Sequence, residues 1–224
     1  ATFANRAVGD NEWATEHDQH QFVFTSITAA FGGRLHSDIL HLTFDRHPIQ
    51  LVEAGWGRHL THLTYLGLLA GLLQPGFRLD AEGLSSLRTL MYITNPSLTV
   101  LNVFHRTGAN QTRGIGMPRF KMLAFGGASV QAIEEEACCE QLPSVRYVFA
   151  RQQQQLVLAA LPQTMFRGCV DLNIFNARSN SLTTLPRNLF ADASKLLVLS
   201  LADNRLAEIQ PGALPNTPAQ ITLL

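Results

Sequence analysis

Apolar residues return at a fixed spacing near the C-terminal end of the chain. Leu172, Phe175, Asn180, Leu182, Leu185 and Phe190 are followed 24 positions later by Leu196, Leu199, Asn204, Leu206, Ile209 and Leu214. Gln220 and Leu223 start a third copy at the same offset. Within each copy the first, fourth and sixth positions are apolar, so a short strand is predicted there. Its apolar residues point into a core and their neighbours point to an open face. The Asn at the ninth position is expected to bond backbone groups of adjacent turns. The second half of each copy carries proline: Leu161-Pro162 with Phe166, Leu185-Pro186 with Phe190, and Ile209-x-Pro211-Gly212-x-Leu214. Proline removes a backbone donor, so these returns are predicted to be extended or short 3₁₀ pieces.

The same pattern, less regular, reaches back to Ile39. Ile39, Leu42, Phe44, Ile49 and Val52 open it. Leu63, Leu66, Leu68 and Leu73 follow at the same offset, and Leu87, Leu90, Tyr92 and Asn95 repeat it once more. The next start, Phe120 with Leu123, Phe125, Val130 and Ile133, comes well later than the period allows. The surplus is expected between Leu98 and Pro118, where Gly108, Gly114 and Gly116 mark a loop. A short extra repeat over Leu98, Leu101 and Val103 is the other option. Val145 with Val148 opens the next unit close to the period. Leu172 opens the one after it slightly late, with Gln152 to Gln155 as a bulge. His47, Gly71 and Ala128 stand where Asn is expected, so the Asn ladder should be best formed at the C-terminal end. Residues 1–38 do not fit the period. Thr2 to His20 reads as a loose leader, and the β-prone run from Phe22 to Ile27 is placed to cover the open end of a stack. Residues 39–224 then form one domain of about seven to eight degenerate repeats, since one repeat cannot bury its own face.

The L-x-x-L-x-L-x-x-N-x-L pattern with L-P-x-x-x-F returns resembles the extracellular, "typical" leucine-rich repeats of Toll-type receptor ectodomains, small matrix proteoglycans and secreted insect immune proteins. The resemblance is densest from Leu161 to Leu224. It implies an α/β solenoid with a concave parallel β-sheet and a mostly irregular or 3₁₀ convex side. It further implies a secreted or ectodomain setting and a role in recognition, including innate immunity. The chain departs from the family in having no four-cysteine cap and in stopping inside a strand, so a C-terminal truncation is expected.

Charge and candidate chemistry narrow the function. Seventeen basic residues balance seventeen acidic ones. No global field draws the chain to nucleic acid or membrane. The longest apolar-plus-Gly run, Leu66 to Leu73, is far short of the ~20 residues of a membrane span. Cys138, Cys139 and Cys169 are too few for a disulfide framework. A bridge to Cys169 is conceivable, but free buried thiols are the preferred reading. His17 and His20, like His59 and His62, have metal-compatible spacing but read better as solvated surface. Glu134, Glu135, Glu136 and Glu140 read as a solvated run rather than a catalytic pair. Asn110-Gln111-Thr112 is a glycosylation sequon in the irregular loop. Phosphate-binding, nucleophile-elbow, zinc-protease and dinucleotide motifs are absent. No enzyme, cofactor or metal is therefore implied.

The clearest local signal is a row of bases. The second residues of the strand motifs are Leu40, Thr64, Arg88, Lys121, Arg146, Asn173 and Leu197. Three successive units thus carry a base at one height, with Arg46, Arg151 and Arg178 added at the seventh and eighth positions. Asp45 and Asp203 oppose them. Tyr65, Met91, Met122, Tyr147 and Phe149 are interleaved, and Arg and aromatic side chains are favoured anchors. The expectation is a non-enzymatic module that binds a protein ligand with an acidic patch on this face. The alternatives are a structural protein forming a dimer or hetero-complex through its uncapped end or convex face, and a metal-dependent enzyme built on the histidines.

Overall fold

Alternation along each unit decides which residues pair. The computed structural model describes residues 2–4, 8–9, 12–13, 38–45, 56–69, 83–93, 100–101, 117–126, 132–133, 142, 144–150, 158–216 and 220–222. Among these, one nine-stranded sheet runs in chain order: β1 (Thr2–Ala4), β2 (His41–Asp45), β3 (Tyr65–Leu69), β4 (Thr89–Ile93), β5 (Met122–Gly126), β6 (Tyr147–Phe149), β7 (Ile174–Asn176), β8 (Val198–Ser200) and β9 (Gln220–Thr222). Every neighbouring pair in it is parallel, so the chain is a parallel β-solenoid. Register aligns Leu42, Leu66, Leu90, Leu123, Val148, Phe175 and Leu199 across successive strands, and each is buried.

A recurring turn feeds each strand. The N–H groups of Leu63, Leu87, Phe120, Val145, Leu172 and Leu196 donate to the carbonyls of Leu60, Leu84, Met117, Leu142, Cys169 and Ala193 at 3.0 to 3.1 Å. Both ends of every turn are buried, giving the core a second apolar position just before the motif begins. Cys169 fills that position in its unit. It is disulfide-bonded, which corrects the free-thiol reading for this residue. Its candidate partners, Cys138 and Cys139, lie outside the described residues.

The α/β label does not describe what is seen. Among the described residues there is no α-helix, and a short 3₁₀ turn, Trp56–His59, is the helical element. Pro162 and Pro186 start turns, with Met165 and Leu189 donating back to their carbonyls. The return side also holds two short parallel pairings, Thr184–Leu185 with Glu208–Ile209 and Val100–Leu101 with Ala132–Ile133. The latter bears on the long unit. Thr89 pairs directly with Met122, so no extra strand enters the main sheet between them, and Leu101 belongs to the return side. The surplus of that unit therefore falls between Leu101 and Met117.

Two further expectations change. The last strand pairs Leu199 with Ile221, an offset of 22 rather than 24. At 24, the polar Gln220 would take the first motif position, which is apolar in every earlier unit. At 22, Ile221 takes the fourth position instead. At the other end, β1 supplies the edge by pairing with β2, so part of the predicted leader extends the sheet. Val8–Gly9 and Glu12–Trp13 form an antiparallel pair beside it in sequence. The run from Phe22 to Ile27 lies outside the described residues.

The C-terminal units show why this end is most regular. Phe166, Phe175 and Phe190 pack with ring centroids 4.8, 5.1 and 5.7 Å apart, all fully buried. Asn204 Nδ2 donates to the carbonyls of Ala177 and Leu201 at 2.9 and 2.8 Å, and its Oδ1 accepts from Leu182 N–H at 3.0 Å. Asn180 Nδ2 likewise donates to Ala150 and Ala177 at 2.6 and 3.0 Å. The expected ladder is present here. Asn95 and the substituted positions His47, Gly71 and Ala128 lie outside the described residues.

Candidate functional site

The open face of the sheet is built by two register rows and an entry row. Residues at the third motif position pair in the order His41, Tyr65, Thr89, Met122, Tyr147, Ile174 and Val198. Residues at the fifth pair as Thr43, Gly67, Met91, Ala124, Phe149, Asn176 and Ser200. Tyr147 and Phe149 flank buried Val148 and are themselves half-buried, as alternation demands. Tyr65, Met91 and Met122 are half-buried too, so the face is largely apolar through its middle.

Gly67 shapes part of it. A Cβ at Gly67 would meet Thr43 Cγ2 and the Tyr65 ring at 3.2 Å. The missing side chain lets the Tyr65 ring lie over the backbone, where its hydroxyl donates to Met91 Sδ at 3.0 Å. The His41 ring is 5.7 Å from Tyr65, tilted at 55°. Burial pushes the Tyr65 hydroxyl above the usual tyrosine range.

The entry row is the predicted basic stripe, one residue before each strand. Its backbone forms an unbroken chain of hydrogen bonds. Thr64 N–H donates to Leu40, Arg88 to Thr64, Lys121 to Arg88, Arg146 to Lys121, Asn173 to Arg146 and Leu197 to Asn173, at 2.8 to 2.9 Å. In each case the following residue's N–H shares the same carbonyl, at 2.9 to 3.2 Å. Arg88, Lys121 and Arg146 are thereby held on adjacent rungs, all exposed. None of the three forms an ion pair with a described residue.

Other predicted residues fall elsewhere. Arg178 Nε donates to Asp203 Oδ2 at 2.8 Å, so its charge is answered locally. This hydrogen bond, the Arg178 charge and the Ser179 hydroxyl hold the Asp203 carboxyl below the usual range. Arg46, Arg151, Asp45's side chain and the sequon at Asn110 lie outside the described residues, as do His17, His20 and the Glu134–Glu140 run. His59 and His62 are exposed, and His62 Nδ1 sits 3.3 Å from Thr61 Oγ1. Among the described residues no three His, Cys, Asp or Glu side chains converge as a metal site would require.

Two residues near the stripe were missed by the spacing argument. Arg119 is exposed in the turn that precedes Lys121, so a fourth base stands at the same edge. Asp171 bonds Lys195, and this bond with the Lys195 charge lowers its carboxyl pKa, Arg146 contributing less. Both sit just before the motif's first apolar residue, a position that a reading confined to strands passes over. Among the described residues no helix is long and apolar enough to cross a membrane. Comparison with known proteins gives no matching family and no matching curated relative.

Proposed function

We propose that this chain is a leucine-rich-repeat recognition module of the extracellular type, binding a protein ligand through the open face of its sheet. The observation that carries the reading is the entry row. A continuous main-chain ladder holds Arg88, Lys121 and Arg146 on adjacent rungs beside a half-buried apolar surface. Neighbouring rungs lie ~4.8 Å apart, so three bases share a strip about 10 Å long. Such a strip attracts an acidic patch and speeds encounter, while Tyr147 and Phe149 supply desolvated contact. The Asn ladder and the proline-started returns support the leucine-rich-repeat assignment. The Cys169 disulfide supports an oxidising, extracellular compartment. A role in innate immunity or cell-surface recognition belongs to the same reading.

The test is capture of partners from extracellular fluid by the wild-type chain and by the triple variant Arg88→Glu, Lys121→Glu, Arg146→Glu. The variant is expected to lose the partners that wild type retains. An unchanged set of partners removes the reading.

A further inference from the structure

The entry row has an order that spacing alone does not explain. Its two ends are exposed leucines, Leu40 at 55% and Leu197 at 58%. Next inward are Thr64 and Asn173, whose side chains are spent on the backbone. Thr64 Oγ1 donates to the Leu40 carbonyl and Asn173 Nδ2 to the Lys195 carbonyl, each at 3.0 Å. The centre holds the three bases. The row therefore reads apolar, neutral, basic, neutral, apolar along one line crossing seven rungs.

We infer that the partner element is an amphipathic α-helix laid across the strands, acidic at its middle and apolar at both ends. This deepens the proposed function and rests on it. Helical rise and strand spacing match along this row. Six intervals of ~4.8 Å separate Leu40 from Leu197, about 29 Å in all. A helix rising ~1.5 Å per residue covers that with about 19 residues. The bases span two intervals, about 10 Å. Three acidic side chains on one helix face, spaced four and then three apart, span about 10.5 Å. An extended segment presents alternate side chains about 6.7 Å apart, so three of them span about 13 Å and fall out of step. The helical rise matches the spacing of the bases, and the charge order of the row sets which residues that helix must carry. The adjoining Met91, Met122 and Tyr147 surface receives the apolar flank of the same helix.

Fluorescently labelled synthetic peptides of about 19 residues test this, with circular dichroism to report their helicity. One is a helix former with leucine at both ends and three glutamates in the middle, spaced four and three apart. A second replaces two central neutral residues by proline, and a third replaces the glutamates by lysine. The first is expected to bind the wild-type chain with an affinity that falls as salt rises. The second and third should bind at least about tenfold more weakly, a difference of ~1.4 kcal/mol. Arg88→Glu, Lys121→Glu, Arg146→Glu should abolish binding. The pair Leu40→Ser, Leu197→Ser should weaken it while leaving its salt dependence unchanged. If the proline peptide binds as well as the helical one, the helix inference is wrong, whereas the proposed function stands provided the charge-reversed variant still loses its captured partners. No binding of the helical peptide overturns the inference in the same way. Tighter binding of a sulphated polysaccharide than of any peptide overturns it in favour of a polyanion site.

Discussion

At the residue scale, single side chains settle questions the backbone leaves open. Asn204 ties together backbone groups of two units, so Asn204→Ala leaves the part-buried Leu182 N–H and Leu201 carbonyl without this partner, while the Ala177 carbonyl keeps Asn180. The expected cost is about 1–3 kcal/mol. Denaturant unfolding measures it, and a change of only a few tenths would show the ladder is not structural. Asp203 makes a different prediction. Its carboxyl pKa is lowered in the folded chain, first by the Arg178 hydrogen bond and then by that residue's charge. The unfolded form therefore binds a proton at higher pH than the folded form does. The pair's contribution to stability is complete above the unfolded carboxylate pKa and is lost as pH falls through the lowered folded value. A carboxyl NMR titration should show Asp203 titrating below the ordinary range, and Arg178→Gln should return it toward that range. An Asp203 midpoint that does not respond to Arg178→Gln contradicts this account. Gly67→Ala should displace the Tyr65 ring by a few tenths of an ångström and weaken its bond to Met91, since contact at 3.2 Å is tighter than ordinary van der Waals packing.

At the scale of the element, each unit is a turn, a strand and a return that share one buried spine. Phe175 is fully buried between Phe166 and Phe190, which come from the two flanking returns. Phe175→Ala therefore opens a cavity shared by two units, and a loss of about 3–5 kcal/mol is expected. Leu197→Ala, one rung over and exposed, should change stability by less than about 0.5 kcal/mol. Calorimetry on the two variants compares buried and exposed leucine-motif positions directly, and equal effects would refute the register. The disulfide belongs to this scale as well. Cys169 occupies the buried turn position that is Leu, Met or Ala in other units, so its sulfur sits at the core rather than in solvent. Intact mass should rise by two hydrogen atoms on reduction under denaturing conditions. An unchanged mass on reduction would contradict the disulfide.

For the molecule as a whole, the parallel stack makes stability a sum of unit and neighbour terms. The proposed binding, in contrast, rests on features that several units hold in common. Arg88, Lys121 and Arg146 come from three units of unequal length, yet the ladder aligns them. The net charge is zero, so the proposed attraction to an acidic partner would be local and short-ranged. Association should slow steeply as ionic strength rises and the screening length falls below ~10 Å. Stopped-flow association with the acidic helical peptide measures this. A salt-independent rate would assign the contact to the apolar surface alone.

The stack itself is legible in the chain. Apolar spacing at positions one, four and six is a local property, and the strands from His41 to Ser200 follow it because burying those residues leaves little choice of face. The basic row is legible for the same reason, since a constant offset within a unit becomes a constant height in a sheet. The rest emerged only where neighbouring chain segments had to be fitted to one another. The offset of 22 at Ile221 came from pairing with β8, which outweighed a period that the last few residues could only suggest. The turn core at Leu60, Leu84 and Cys169 was hidden because its residues vary in type and gain meaning only when stacked. Arg178 left the stripe because Asp203, one unit later, lies within hydrogen-bond reach. Arg119 joined the edge because a turn brings it there. Charge at one position is written in the chain. Whether that charge is answered or left to meet a partner depends on what the fold sets beside it.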